Sequence, residues 1–220
     1  RQLELAQAES LELAGLKRGS VSLGCMPTTG AYLLPPLLKA FGQAHPDIRL
    51  DLREDSSPSL AALIRDRQVD LGLVDEAGLG PGLASELLFT EPLLLAVPPK
   101  HPLAQRRRLA LKALKGQPLI LMKSGHGFRK IVLDALAKAG VEPKVVHQSD
   151  EIETIQALVE AGLGLALVPA MVRKAKGPAY LDLAEPRPSR SLFLAWRQDA
   201  ALSGAAQALQ AIARNALRRL

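Results

Sequence analysis

"PLILMKSGHGFRKIVLDALAKA", Pro118 to Ala139, passes from an apolar run through a turn of small and polar residues into a pattern of helical period. Leu119–Leu121 reads as a buried strand, and Ile131-Val132-Leu133 with Ala135-Leu136 as one side of a helix. A tight strand-to-helix turn leaves the first N–H groups of the helix without intrahelical partners, so it either cradles a ligand or serves only as a connection. The same alternation runs on both sides of the quoted stretch. Upstream come strand Ser20–Cys25, helix Tyr32–Gln43, strand Ile48–Arg53, helix Leu60–Asp66 and strand Val69–Val74. Downstream come strand Lys144–His147, helix Glu151–Ala161 and strand Leu163–Val168. Both halves therefore read β-α-β-α-β, the pattern of an α/β protein with parallel strands covered by helices.

Two apolar runs lie outside this repeat: Leu93–Val97 in "EPLLLAVPPKHPL" and Leu192–Trp196 in "SRSLFLAWRQD". If the last helix, Ala205–Arg219, packs on the first half, these runs carry the chain from one lobe to the other and back. The expected lobes are residues 17–92 with 196–220, and residues 93–195, with a ligand cleft where the strands end. Leu60, Ile64, Ile131 and Val132 either face their own cores or form exposed helix faces that pack between two chains.

Composition narrows the function. Of 220 residues, 48% are hydrophobic and only 3% aromatic, so Leu, Ala and Val must build the core. A net charge of +6 without interleaved aromatics does not by itself argue for nucleic acid. The densest basic run, Arg106-Arg107-Arg108, reads as a solvated face. The single cysteine, Cys25, excludes an intrachain disulfide and a Cys-based zinc site, and its strand position suggests an inert buried thiol. No apolar stretch is long enough to span a membrane, no signal peptide is visible, and a cytoplasmic location is expected. Because the chain starts at Arg1 without an initiator Met, it is expected to be a fragment of a longer protein.

The loops after the strands hold Thr28, Thr29, Ser56, Ser57, Ser124, His126 and Ser149, a set rich in hydroxyls. N-capping explains Thr28-Thr29 and Ser56-Ser57 equally well, and Pro58 after Ser57 suits a first helical position. The alternative is a polar pocket for a small neutral or anionic ligand. Catalysis does not assemble: His126 has no Cys or Asp near it in sequence, and Ser124 lacks a nucleophile elbow. Asp75-Glu76 reads more readily as solvated loop carboxylates than as paired acids. No two of the four histidines have metal-ligand spacing, so no metal or cofactor is expected.

Taken together, "GLKRGSVSLGCMPTTGAYLLPPLLKAFGQAHPDIRLDL", "RQVDLGLVDE", "EPLLLAVPPKHPL" and "ETIQALVEAGLGLALVPAMV" resemble the regulatory domain of LysR-type transcriptional regulators across essentially the whole chain. The resemblance implies two Rossmann-like lobes joined by two crossover strands, as in type II periplasmic binding proteins. It further implies an effector-binding role without enzymatic activity, homodimers or homotetramers, and DNA binding through a winged helix-turn-helix ahead of this chain. RNA polymerase is a further partner it allows, and residues 1–16 would end a linker helix. A transporter's solute-binding protein is the alternative with the same fold.

Within the family, "MPTTGAYLLP", "REDSSPSLAALI" and "SGHGFRK" are most similar to the OxyR peroxide sensors. Carried over by position, Thr28, Ser57, His126 and Arg190 match residues lining the peroxide pocket. Gly127 stands at the peroxidatic cysteine position and Leu136 at the resolving one, so the usual disulfide switch is lost. The implied effector is peroxide sensed without cysteine, or another small polar or anionic molecule. A bound iron near His126 would be a further route, but no ligand cluster in the sequence supports it.

Overall fold

The computed structural model describes residues 19–217. They form two compact units: one takes the chain up to Val74, Gly78–Phe89 and the chain from Phe193, the other Asp75–Ala77 and Thr90–Leu192. Strands β4 (Leu83–Val97) and β10 (Ser189–Arg197) contribute residues to both. The linker-helix expectation falls outside the described residues.

In the first unit, β1 (Gly19–Cys25) pairs in parallel with β2 (Ile48–Glu54) and β3 (Leu71–Val74). The end of β10 closes the other side of β3 in antiparallel register. Strand alternation points Val21, Leu23 and Cys25, all buried, to one face of β1. That face carries α1 (Pro27–Ala44) and α5 (Gly204–Leu217), which pack on each other.

The opposite face is built on missing side chains. Gly24 of β1 and Gly72 of β3 are register partners, and Ala195 of β10 continues the row. Helix α2 (Ser57–Arg65) settles onto it. A Cβ on Gly24 would fall 2.7 Å from Leu60 Cδ2, and one on Gly72 would fall 2.7 Å from Ile64 Cδ1. Neither glycine has positive φ, so close helix approach rather than backbone conformation calls for glycine here. Leu60 and Ile64 are thereby wholly buried in their own unit, as is Val132 at 2% exposure, and do not form the exposed packing faces the sequence left open.

The second unit repeats the scheme. Strand β6 (Pro118–Met122) pairs in parallel with β7 (Lys144–Ser149), and a bridge from Leu119 to Leu165 leads toward β8 (Ala166–Pro169). β8 runs antiparallel to β4, as β3 does to β10. Helices α3 (Gly127–Lys138) and α4 (Ile152–Glu160) pack on β6. Two strands absent from the sequence reading, β5 (Arg108–Leu109) and β9 (Ala179–Leu183), extend the sheet beyond β4.

Several boundaries move. α1 begins at Pro27, five residues before the expected Tyr32, and includes Thr28, Thr29 and Gly30. Those residue types favour loops, but all three are buried and Pro27 needs no N–H at the helix start, so tertiary packing overrides local preference. α2 also starts early, at Ser57. β8 starts at Ala166 because Leu163 is exposed and Gly164 adopts φ +159°.

Two outcomes follow from this packing. Gly24→Val should force α2 off the sheet at a cost of about 1–3 kcal/mol, lowering Tm by roughly 2–10 °C. An unchanged melting curve by circular dichroism would contradict the close approach. Cys25 is fully buried, and burial first, then the nearby Glu54 charge, push its thiol up to about 12. Iodoacetamide at neutral pH should leave the folded chain unmodified and alkylate it in urea; prompt modification of the folded chain, read by mass spectrometry, would refute this.

Candidate functional site

The register of β1 with β2 sets Cys25 beside Glu54, so α1 and α2 begin at the same edge of the first unit. Ser56 is the N-cap of α2: its Oγ accepts from Ser59 N at 3.4 Å and lies 3.0 Å from Ser59 Oγ. The capping reading therefore holds for Ser56, with Pro58 one position later than expected. Ser57 is left for another task. It is 1% exposed, and its hydroxyl donates to Met26 Sδ at 3.1 Å.

The capping reading fails for the threonines. Met26 is the N-cap of α1 and makes no side-chain cap, while Thr28 and Thr29 lie within the first turn at 8% and 0% exposure. Thr29 Oγ1 is buried without a hydrogen-bond partner among the described residues. Leaving such a hydroxyl unpaired costs about 1–3 kcal/mol. Met26, Thr28, Thr29 and Ser57 form the polar edge of this unit.

In the second unit, the quoted turn is held in place by its own contacts. Lys123 N donates to Ser149 O, Gly125 takes φ +97°, and Arg129 Nη1 reaches Met122 O and Gln148 Oε1. His126 is the N-cap residue of α3, yet its side chain does not cap the helix. It turns to Asp150, with Nε2 3.2 Å from Oδ1, while Lys123 Nζ pairs with the other carboxylate oxygen. The Lys123 hydrogen bond first and that of His126 second hold the Asp150 carboxyl below its ordinary range. Ser124 is exposed, and Ser149 Oγ accepts from Glu151 N in a local turn.

Arg190, which the resemblance set in a pocket lining, is 2% exposed and held by a carboxylate of its own chain. Its Nε donates to Glu91 Oε1 at 2.7 Å, Nη2 lies 3.2 Å from Met171 Sδ, and the guanidinium sits 5.6 Å from the Phe128 ring centroid. The second Glu91 oxygen accepts from Met171 N at 2.7 Å. The charge is already matched inside the unit.

Gly127 has a neighbour that the sequence did not disclose. A Cβ there would fall 2.8 and 2.9 Å from the two carboxylate oxygens of Asp75 and 2.5 Å from Ala77 Cβ. Asp75 is 1% exposed, not the solvated carboxylate of the sequence reading, and accepts from Ala77 N at 3.0 Å. Adjacent Glu76 accepts from Ser191 N at 2.8 Å. Sequence reasoning noticed Asp75 but misjudged its burial, and it missed Glu91, Met171, Phe128 and Met26. Of these four, Glu91 left a signal, as a charge opening the apolar run of a crossing strand. Among the described residues, no three His, Cys, Asp or Glu side chains group as a metal site, and no helix is long and apolar enough to cross a membrane.

Comparison with known proteins adds the family. Residues 14–218 match the LysR substrate binding domain. An uncharacterized HTH-type transcriptional regulator of Bacillus subtilis, YcgK, is 34% identical over 217 residues, covering 90% of this chain and 67% of the relative. A hydrogen peroxide-inducible genes activator of Pectobacterium carotovorum is 32% identical over 195 residues, covering 84% of this chain and 63% of the relative. The C-terminal domain of a probable LysR family regulator from Rhodococcus superposes with a TM-score of 0.82 at 27% identity, over 89% of this chain and 98% of that one. The fold is that of LysR effector-binding domains, which are of the type II periplasmic-binding-protein kind. With its family match and its 34% identity to a full regulator, the chain belongs to the LysR-type transcriptional regulators, as their effector-binding domain.

Proposed function

We propose that the whole protein is a cytoplasmic, homo-oligomeric DNA-binding regulator in which this chain senses a small, uncharged polar effector. The chain spans 67% and 63% of the length of the two relatives above, and in this reading DNA contact belongs to the remainder of the protein. The relatives are regulators rather than enzymes, and no nucleophile–base pair activates any of the candidate hydroxyls. The observation that carries the effector reading is Thr29 Oγ1, buried and unpartnered beside Thr28 and Ser57 at the edge where two helices begin.

Peroxide is the second reading, favoured by the Pectobacterium relative's description as hydrogen peroxide-inducible. A thiolate route does not suit this chain, because Gly127 carries no sulfur and Cys25 is buried and protonated. Peroxide would have to bind as a small polar molecule at the hydroxyls.

Thr29→Val separates a ligand contact from a structural one. Removing an unpaired buried hydroxyl without changing shape should leave Tm unchanged or raise it by roughly 2–4 °C. In the full-length regulator the variant should also abolish the promoter's response to its inducer, including any response to peroxide. A variant that responds like the wild type would end this reading. Arg190 is expected to behave in the opposite way. Arg190→Ala leaves Glu91 buried and unpaired, at a cost of about 3–5 kcal/mol. Arg190→Met with Glu91→Gln should recover most of that stability. Thermal melts of the three variants check this, and a single variant as stable as wild type would contradict the structural role.

A further inference from the structure

We infer that Asp75 is a ligand built into the chain: its carboxylate fills the anion seat at the start of α3 and so restricts what the effector can bring there. The inference deepens the effector reading and rests on it for the existence of an external ligand. α3 is 12 residues long, has no acidic residue in its first turn, and receives no side-chain cap from His126. Its first N–H groups and the positive end of its dipole thus have no anion from the helix's own sequence. Asp75 supplies one from elsewhere in the unit. Both its oxygens lie within 2.9 Å of the Cβ position of Gly127, the first residue of the helix.

The glycine and the aspartate explain each other. Gly127 does not have positive φ, so its backbone would accept any residue. What excludes a side chain is the Asp75 carboxylate together with Ala77 Cβ at 2.5 Å. Conversely, a carboxylate at 1% exposure must be compensated by charge or hydrogen bonds, and a helix N-terminus offers both. Arg190, a fully buried cation of this region, is held by Glu91. An external carboxylate would meet two seats already taken, whereas a neutral polar molecule would meet no such exclusion.

Chemical rescue tests this without knowing the effector. Asp75→Ala, Asp75→Asn and the wild-type chain are melted in sodium chloride and in sodium acetate at equal ionic strength and neutral pH. Asp75→Ala is expected to melt lower than wild type in chloride and to regain about 2 °C or more in acetate, as free carboxylate enters the vacated seat. Wild type and Asp75→Asn, whose seats remain filled, are expected to melt alike in the two salts. If Asp75→Ala does not fold in chloride, recovery of its circular dichroism spectrum in acetate is the same result. Absence of any acetate effect on Asp75→Ala, or an equal effect on wild type, would overturn the inference. Either failure leaves the role of Thr29 standing, and loss of that role would leave the acetate result intact.

Discussion

The buried pair of Arg190 with Glu91 constrains everything around it. An ion pair with side-chain exposures of 2% and 7% survives only if each remaining donor and acceptor finds a partner. That requirement ties together four separate segments. Glu91 comes from β4 and Arg190 from β10, Met171 supplies both a backbone N–H and a sulfur, and Phe128 of α3 lies near the guanidinium. Around it, Leu93 N donates to Pro188 O, and the hydroxyls of Thr90 and Ser191 lie 3.0 Å apart. Beyond their backbone ladder, the two crossing strands are therefore fixed to each other by polar side-chain contacts.

In the first unit the organising constraint is the reverse, a lack of side chains. Gly24, Gly72 and Ala195 lie side by side across β1, β3 and β10 and let Leu60 and Ile64 approach the strand backbone. With few aromatic residues to fill space, close approach is how a Leu- and Ala-rich core reaches interior packing density. The same approach sets the height of α2 over the sheet. It thereby fixes where Ser56 and Ser57 come to lie: the former on its own helix, the latter buried against Met26.

Much of this was legible in the sequence, for identifiable reasons. Buried strands such as β3, β6 and β8 read as short apolar runs, and amphipathic helices read by period, so the repeated β-α-β-α-β order could be followed element by element. Helix starts could not. Thr28-Thr29-Gly30 looks like a loop because local preference was the only information, and burial decided otherwise. β9 escaped because "AYLDL" is short, follows a glycine and a proline, and alternates only weakly. At the candidate site, residue identities marked turns but not the states of their side chains. Whether Arg190 is a free cation or Asp75 a solvated anion depends on partners 99 and 52 positions away, Glu91 and Gly127. No local pattern encodes such distant pairings.

The buried ion pair of the second unit has a chemical consequence. In the second unit, buried Arg190 has Glu91 near the start of α3, the more exposed Lys123 and His126 share Asp150, and Arg129 rests on neutral acceptors, Met122 O and Gln148 Oε1. In the first unit, the polar edge carries no charge on Met26, Thr28, Thr29 or Ser57, and one of its hydroxyls is unpartnered. A ligand that took Arg190 as its partner would have to break the pair with Glu91, leaving a buried carboxylate uncompensated at a cost of about 3–5 kcal/mol. A ligand that relied on neutral hydrogen bonds alone would leave that pair intact. A ligand that competes for the Arg190 guanidinium is thereby disfavoured without any repulsive group, by the pair the fold has already made.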